Sequence, residues 1–183
     1  MIFKTERLTL RPWTEADAEA LFKYAADPEI GPAAGWAVHE SVDYSREIIR
    51  EVLSAEGTFA VCMNDRGGEP VGSIGWFVRD GLPDGVEIGY WIGKPFWGQG
   101  YIPEATECLL EYLFTETDCP RVWCSHFLGN EKSKRVIEKC GFHPEFLQER
   151  EWPAIGRKLP EQFYSIHKAE YQAETPAEKE RFH

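Results

Sequence analysis

Apolar side chains recur along the chain with two different spacings, and each spacing predicts one kind of regular structure. Alternating apolar and polar positions, or short apolar runs between turns, predict strands at 6–13, 58–63, 70–78, 86–92, 121–127, 142–150 and 162–168. Apolar residues three and four positions apart predict helices at 18–26, 41–53, 101–115 and 131–140. Hairpins occupy the middle of this order, so we expect a single mixed α/β (α+β) domain over residues 1–171. A polar tail at 172–183 is expected to fray.

Composition narrows the class of protein. Of the 183 residues, 43% are hydrophobic, and this share argues against disorder. The formal net charge of −11 disfavours binding of nucleic acid through a basic surface. The same charge would attract cationic substrates such as amines, although it also serves simply to keep a protein in solution.

Membrane and metal classes are also disfavoured. No apolar run approaches the ~20 residues that a membrane-spanning helix needs, and the first residues lack the apolar stretch of a secretory signal. The five cysteines are odd in number and contain no Cys-x-x-Cys pair. This usage predicts reduced thiols in a cytoplasmic protein and no metal site.

The most informative segment is a strand, a glycine-rich loop and a helix in succession, over residues 86–105. Gly93, Gly98 and Gly100 let the backbone approach a ligand, and free amides at the start of a helix favour phosphate oxygens. The segment lacks the Gly-Lys-Ser/Thr triplet of a Walker loop and the third glycine of a dinucleotide-binding loop. It predicts an anion site of another kind, unless the glycines only make tight turns.

The sequence of this loop, Trp97-Gly-Gln-Gly-Tyr101, resembles the acetyl-CoA pyrophosphate loop of the GNAT superfamily of N-acetyltransferases, and within it the RimJ/RimL-like ribosomal-protein N-acetyltransferases. Three further segments fit in the same order: Thr5-Glu-Arg-Leu-Thr-Leu-Arg11, Glu87-Ile-Gly-Tyr-Trp91, and Asn130-Glu-Lys-Ser133 running on to Lys139-Cys-Gly-Phe142. The resemblance extends over residues 3–170. It implies one domain with a central mixed, mostly antiparallel sheet of about seven strands, flanked by helices, in which two central strands splay apart.

The resemblance also implies where the co-substrate acetyl-CoA would bind. Its pyrophosphate would lie on the backbone amides of the loop, at Trp97, Gly98, Gln99, Gly100 and Tyr101. The loop departs from the family at Pro95, where Gln or Arg is frequent. One phosphate contact is therefore missing or comes from Lys94.

The pantetheine arm would lie between the splayed strands and pair with the backbone near Tyr90 and Ile92. The resemblance further implies that Asn130 binds the pantetheine amide and that Ser133 protonates or hydrogen-bonds the coenzyme sulfur. The Asn-x-x-Ser spacing equally fits an N-cap and a first-turn residue that only satisfy backbone donors.

Acetyl transfer to an amine requires a base, because an alkyl ammonium has a pKa of about 10 and is protonated at neutral pH. Glu87 is the candidate base, either directly or through a water molecule, since it interrupts an apolar strand and the resemblance places it near the acetyl group. The alternative is a carboxylate that points to solvent from an alternating strand. No cysteine has a nearby histidine that would activate it, so a covalent acyl-cysteine route is disfavoured.

The acceptor site is indicated more weakly. Trp36 and His39 follow a Pro/Gly break that borders the acceptor in the family, so both are candidate substrate contacts, and the alternative is a packed surface loop. The expected function is transfer of the acetyl group to a primary amine of a small molecule or peptide, by a monomer or homodimer without nucleic-acid or membrane partners. Two alternatives remain, namely a non-catalytic acetyl-CoA sensor and an acyltransferase that uses another acyl-CoA.

Overall fold

A computed structural model describes residues 1–173, which form eight strands and six α-helices. The strands are β1 (Phe3–Lys4), β2 (Leu8–Arg11), β3 (Thr58–Met63), β4 (Pro70–Phe77), β5 (Val86–Ile92), β6 (Arg121–Phe127), β7 (His143–Trp152) and β8 (Arg157–His167). The helices are α1 (Ala18–Ala25), α2 (Gly31–Ala34), α3 (Val42–Ile48), α4 (Tyr101–Thr115), α5 (Glu131–Lys139) and α6 (Lys168–Ala173). The tail expected at 172–183 lies, from residue 174 on, outside the described residues.

All eight strands belong to one sheet, in the order β1-β2-β3-β4-β5-β6-β8-β7. Every neighbouring pair is antiparallel except β5 and β6, which run parallel. The expected mixed, mostly antiparallel sheet is therefore confirmed. It has one strand more than expected, because the segment at 6–13 forms β2 alone and β1 is an additional edge strand.

The two central strands begin as neighbours and then separate. The ladder of β5 and β6 pairs Val86 with Val122 and Glu87 with Trp123, although each strand has seven residues. On their other edges β5 stays paired with β4 and β6 with β8. The expected splay is therefore present as a gap between two strands that are each held from outside.

Successive side chains of β5 point to opposite faces of the sheet. Ile88 and Ile92 belong to the main core, together with Leu109 of α4. Trp91 packs on the other face against the smaller core that α1 and β3 share, and by alternation Glu87 lies on that face too. A molecule in the gap would therefore meet different side chains on its two sides.

The hairpin of β7 and β8 is longer than the sequence predicts. The alternation indicates strands at 142–150 and 162–168, whereas the paired residues run from 143 to 152 and from 157 to 167. Residues 143–150 are all exposed, so no buried stripe marks them as a strand. β7 ends the sheet and pairs on one side only.

Membrane and metal features were sought within residues 1–173. No helix there is long and apolar enough to cross a membrane. In the same part of the chain, no three His, Cys, Asp or Glu side chains meet as metal ligands do. All five cysteines are free thiols.

Gly85→Ala is expected to destabilise the fold at the start of β5. Gly85 has a φ of +81°, and a Cβ there would lie 1.8 Å from the carbonyl oxygen of Arg121. The free energy of unfolding should fall by at least about 2 kcal/mol, because backbone strain and a backbone clash act together.

Gly81→Ala is the matched control in the same urea-unfolding experiment. Gly81 has a φ of +89°, but a Cβ there meets nothing within 4 Å. Strain alone should lower the free energy of unfolding by about 1 kcal/mol. Equal losses in the two variants would contradict a role for the close approach of Gly85 to β6.

Candidate active site

A buried cluster of charged side chains lies where β5 and β6 part. Arg79, in the loop that follows β4, places Nη1 at 2.7 and 2.6 Å from the two carboxylate oxygens of Glu87. Its Nη2 lies 2.8 Å from Oε2 of Glu161 in β8. Arg79, Glu87 and Glu161 are 8%, 3% and 2% exposed. Glu87 is therefore buried. The alternative from the sequence, a carboxylate that points to solvent, is wrong.

Ser125 of β6 completes the cluster. Its Oγ lies 2.6 Å from Oε1 of Glu87 and 2.7 Å from Oε1 of Glu161. The Arg79 guanidinium carbon also lies 4.8 Å from the ring centre of Phe163 and 5.7 Å from that of Trp152. These rings shield the charges from water, which strengthens the electrostatic interactions among them.

The surroundings of Glu87 suit it to proton chemistry. Burial raises the pKa of Glu87, while the Arg79 guanidinium and the Ser125 hydroxyl act against this rise. The Glu161 carboxylate adds to the increase in the pKa of Glu87. A carboxyl group with a raised pKa holds and accepts a proton more readily than an ordinary one.

A pair of hydroxyls lies on the opposite face of β5. Tyr90 Oη is 2.9 Å from Ser133 Oγ and 3.3 Å from the Ser133 carbonyl oxygen, so the pair links β5 to α5. Burial raises the pKa of Tyr90 well above its ordinary value, so the phenol stays neutral and can donate. If Tyr90 donates to Ser133, the Ser133 proton is free for a third group.

Asn130 begins α5 and is an N-cap. Its side-chain oxygen accepts a hydrogen bond from the Ser133 amide at 3.2 Å, and its side-chain nitrogen lies 3.4 Å from the carbonyl oxygen of Ala33. Asn130 thus fixes the orientation of the first turn of α5, and with it the position of Ser133. The N-cap interpretation of Asn130 is confirmed, whereas the Ser133 hydroxyl bonds Tyr90 and not a backbone donor. A contact of either residue with a coenzyme stays a prediction.

The glycine-rich loop presents unused amides at the start of α4. Gly98 and Gly100 have φ values of +73° and +80°, which residues with a side chain rarely adopt. Among residues 1–173, no backbone or side-chain acceptor is found for the amides from Gly98 to Gly100, whereas the Trp97 amide donates to Lys94 at 3.2 Å. The unengaged run therefore begins one residue later than the sequence suggests.

Side chains of the loop itself close it into a fixed shape. The Trp97 indole donates to the Ile92 carbonyl at 2.9 Å, and the Gln99 side chain donates to the Pro95 carbonyl at 2.7 Å. The Gln99 side chain is thus turned toward its own loop. Pro95, the departure from the family pattern, serves here as an acceptor.

The loop is also tied to the N-terminal strands. Arg7 donates from Nη1 to the Gln99 carbonyl at 2.9 Å and from Nε to Glu104 at 2.6 Å. Glu104, in the first turn of α4, additionally accepts bonds from the Arg7 amide at 2.9 Å and from the Thr5 hydroxyl at 2.5 Å. Burial by itself would raise the pKa of Glu104, but these bonds hold it below its ordinary value.

Two lysines flank the loop. Lys94, the expected substitute for a missing phosphate contact, forms an ion pair with Glu29. Lys132 at the start of α5 places its ammonium group 3.6 Å from the ring centre of Trp97. Of the two, Lys132 brings positive charge next to the unengaged amides.

Comparison with known proteins agrees with this geometry. The acetyltransferase (GNAT) domain family matches residues 7–143. The chain belongs to this family.

Relatives extend the likeness over nearly the whole chain. The N-acetyltransferase p20 of Bacillus licheniformis, itself uncharacterised, is 31% identical over 91% of this chain and 96% of its own length. YdaF of Bacillus subtilis, named as a candidate ribosomal N-acetyltransferase, is 32% identical over 92% of this chain and 96% of its own. The crystal structure of a GNAT-family acetyltransferase from Bacillus anthracis superposes with a TM-score of 0.81 at 26% identity, over 92% of this chain and 99% of that one.

The chain is accordingly an acyltransferase enzyme. GNAT acetyltransferases use acetyl-CoA as the acetyl donor. The unengaged amides, which start at Gly98, offer the donors that a pyrophosphate requires. The residues of the loop therefore fit this co-substrate.

Trp36 and His39 of the acetyltransferase lie on the same face of the sheet as Glu87. The Trp36 ring centre is 5.8 Å from that of Trp91, and His39 is 6% exposed with Nδ1 at 2.8 Å from Ser45 Oγ. Burial lowers the pKa of His39, so the imidazole is neutral at pH 7. The two side chains are parts of a packed aromatic layer, and Trp36, which is only half-buried, is the more accessible of the two.

The thiols of the acetyltransferase are poor nucleophiles. Burial raises the pKa of Cys62 to about 11 and that of Cys140 to about 12. Burial also raises the pKa of Cys124 well above its ordinary value. Thiols so strongly protonated at neutral pH do not support a covalent acyl-cysteine route.

Sequence reasoning missed three members of the buried cluster: Arg79, Ser125 and Glu161. Arg79 and Glu161 are 82 positions apart in the chain and meet because β8 lies next to β6. One usable signal was that Glu161 directly precedes the strand predicted at 162–168. A buried carboxylate at such a position requires a positive partner, although the sequence does not say which one.

Glu104→Gln is expected to weaken acetyl-CoA binding without unfolding the protein. The variant loses the charge that fixes Arg7, and Arg7 in turn fixes the Gln99 carbonyl of the loop. The dissociation constant measured by titration calorimetry should rise about three- to tenfold, which corresponds to the net contribution of one ordinary hydrogen bond.

The control for this titration is Glu149→Gln. Glu149 also pairs with a cation, Lys158 at 2.9 Å, but the pair lies on the edge hairpin of β7 and β8 and both side chains are exposed. Its removal should leave the dissociation constant for acetyl-CoA unchanged. Equal weakening in both variants would show that Glu104 acts through overall charge and not through the loop.

Proposed function

We propose that this acetyltransferase transfers the acetyl group of acetyl-CoA to the primary amine of a protein N-terminus or a small molecule, by direct attack of the amine on the thioester. The observation that carries the proposal is the gap between β5 and β6, which has proton-handling groups at its closed end and unengaged amides at its open end. These are the two kinds of group that the two ends of acetyl-CoA require.

The different groups at the two ends of the gap determine how acetyl-CoA would lie in it. The pyrophosphate contacts the amides of Gly98, Gln99, Gly100 and Tyr101, and the pantetheine arm runs along β5 past Tyr90 and Ile92. The Ile92 carbonyl already accepts from the Trp97 indole, so the arm pairs with other backbone groups of β5 nearby. The thioester then lies toward the closed end, between Glu87 on one face and Ser133 on the other.

In this pose the two faces have different tasks. Glu87 accepts the proton that the substrate ammonium must lose, which is required because the pKa of an alkyl ammonium is about 10. Ser133, oriented by Asn130 and Tyr90, donates a hydrogen bond to the sulfur as the thiolate leaves. A thiol pKa of about 8.5 makes the need for this second group modest.

In this proposal the acceptor is one of the amines that RimJ/RimL-like N-acetyltransferases modify. The ordered motifs of the chain and its likeness to YdaF support a ribosomal protein as one acceptor to test. The net charge of −11 favours association with a cationic partner. The aromatic layer of Trp36, Trp91 and His39 would contact the acceptor chain next to the amine.

An acetyl-CoA-dependent assay over a panel of amines, peptides and ribosomal proteins tests the proposal. Mass spectrometry of the products should find one acetyl group on an amine nitrogen. Binding of acetyl-CoA with no transfer to any amine would favour the sensor alternative. Transfer of a different acyl group in preference to acetyl would favour an acyltransferase that uses another acyl-CoA.

Ser133→Ala should lower kcat about tenfold or more while the dissociation constant for acetyl-CoA changes less than about twofold, because the hydroxyl acts mainly on the developing thiolate. Ser54→Ala is the control, since the Ser54 hydroxyl donates to the Arg50 carbonyl at the end of the helical segment that follows α3, and no other bond from it is found within residues 1–173. Steady-state kinetics measure both. Full activity of Ser133→Ala would show that its hydroxyl is dispensable.

A further inference from the structure

The buried cluster has one more ionisable acid than its single cation can neutralise. Arg79 supplies one positive charge, and Glu87 and Glu161 supply up to two negative charges. These residues are 8%, 3% and 2% exposed, so an uncompensated charge among them is costly. One proton on either carboxyl group would make the cluster neutral.

The Ser125 hydroxyl shows where that proton lies. Ser125 Oγ is within 2.6 Å of Glu87 Oε1 and within 2.7 Å of Glu161 Oε1, yet a hydroxyl has a single hydrogen to donate. With both carboxylates ionised, one of these short contacts would join two oxygens with no hydrogen between them. A protonated carboxyl group supplies the missing hydrogen.

We propose that Glu87 and Glu161 share one proton through Ser125, and that Glu161 is thereby the positioning residue that prepares Glu87 to act as a base. The role in catalysis rests on the proposed function, whereas the shared proton does not. Within residues 1–173, the charged groups that act on the pKa of Glu87 are Arg79 and Glu161. The Cys124 thiol of β6 packs in the main core on the other face of the sheet, and burial keeps it neutral.

The exchange of the proton leaves the net charge of the cluster unchanged. With the proton on Glu87, its O–H donates to Ser125 Oγ and the Ser125 O–H donates to Glu161. Movement of both hydrogens along these bonds yields an ionised Glu87 and a protonated Glu161. Ser125 ends as it began, with one hydrogen.

The ionised Glu87 then takes one proton from the substrate ammonium. The nitrogen lone pair attacks the thioester carbonyl carbon, the N–C bond forms and the C–S bond breaks with its electron pair on sulfur. The second nitrogen proton ends on the sulfur, so that free coenzyme A leaves as the thiol. The proton on Glu87 passes to solvent after product release, which restores the cluster with its one shared proton.

Glu161→Gln tests the catalytic role. Glu87 then becomes the only counter-charge to Arg79 and should ionise at lower pH. The low-pH limb of kcat/KM should shift down by about one pH unit or more. A merely structural role would reduce activity without moving this limb, and an unmoved limb would overturn the proposal.

Ser125→Ala removes the bridge and is expected to lower kcat about tenfold or more, with little change in the KM for acetyl-CoA. Ser125→Thr keeps a hydroxyl and should restore most of the activity. The matched control is Ser165→Ala, because Ser165 is a buried serine on β8 whose Oγ bonds a single carboxylate, Glu145 at 2.6 Å. Equal loss in Ser125→Ala and Ser165→Ala, or no rescue by threonine, would count against the proton bridge.

Infrared spectroscopy of the wild-type protein tests the shared proton without any assay of activity. At neutral pH a buried protonated carboxyl group should give a carbonyl band that Glu87→Gln and Glu161→Gln each abolish or shift. Absence of the band from the wild-type protein would overturn the proposal. If no amine is acetylated but the band is present, the proposed function fails and the shared proton stands.

Proton release on unfolding offers a second measurement. Burial raises the pKa of Glu87 in the folded protein above 4.5, so the folded protein binds this proton more tightly than the unfolded chain does. The free energy of unfolding therefore falls as the pH rises from the unfolded pKa toward the folded pKa. Unfolding of the wild-type protein in this range should release about one proton more than unfolding of Glu87→Gln. Equal release would overturn the proposal.

Discussion

Strands β5 and β6 share hydrogen bonds at Val86 and Glu87 and then part, and this interrupted ladder sets the geometry of the whole site. The close approach of Gly85 to Arg121 fixes where the pairing starts. Beyond it, β4 holds β5 and β8 holds β6, so neither strand can move to close the gap without losing a ladder on its other side. The cleft is thus pre-formed, which spares a bound thioester the entropy of organising its own surroundings.

The two ends of this cleft differ in electrical character. At the closed end, carboxyl groups and a guanidinium are buried together, and their balance depends on one proton. At the open end, backbone amides and the nearby Lys132 offer positive potential without a buried charge. A long molecule with an anionic head and a reactive tail is therefore oriented by electrostatics before any specific contact forms.

The sequence predicted most elements near the site because each has a local cause. Alternation marked β5, and a carboxylate within its apolar run singled out Glu87. The partners of Glu87 were not predictable in this way, because Arg79 and Glu161 come together only through the sheet order that places β8 beside β6. The free amides were expected from the glycine spacing. The hydrogen bond from the Trp97 amide to the Lys94 carbonyl could not be predicted from the sequence. The length of β7 was missed because its exposed residues show no buried periodicity.

Strand β7 forms one edge of the sheet. β7 leaves a row of backbone groups along its free side, and such a row is a template on which another extended chain can assemble. Glu149, Arg150 and Glu151 occupy this border, and Lys158 on β8 pairs with Glu149. Charges of both signs keep the border hydrated and make an intruding strand give up that water, so this stretch protects the fold against aggregation through its edge.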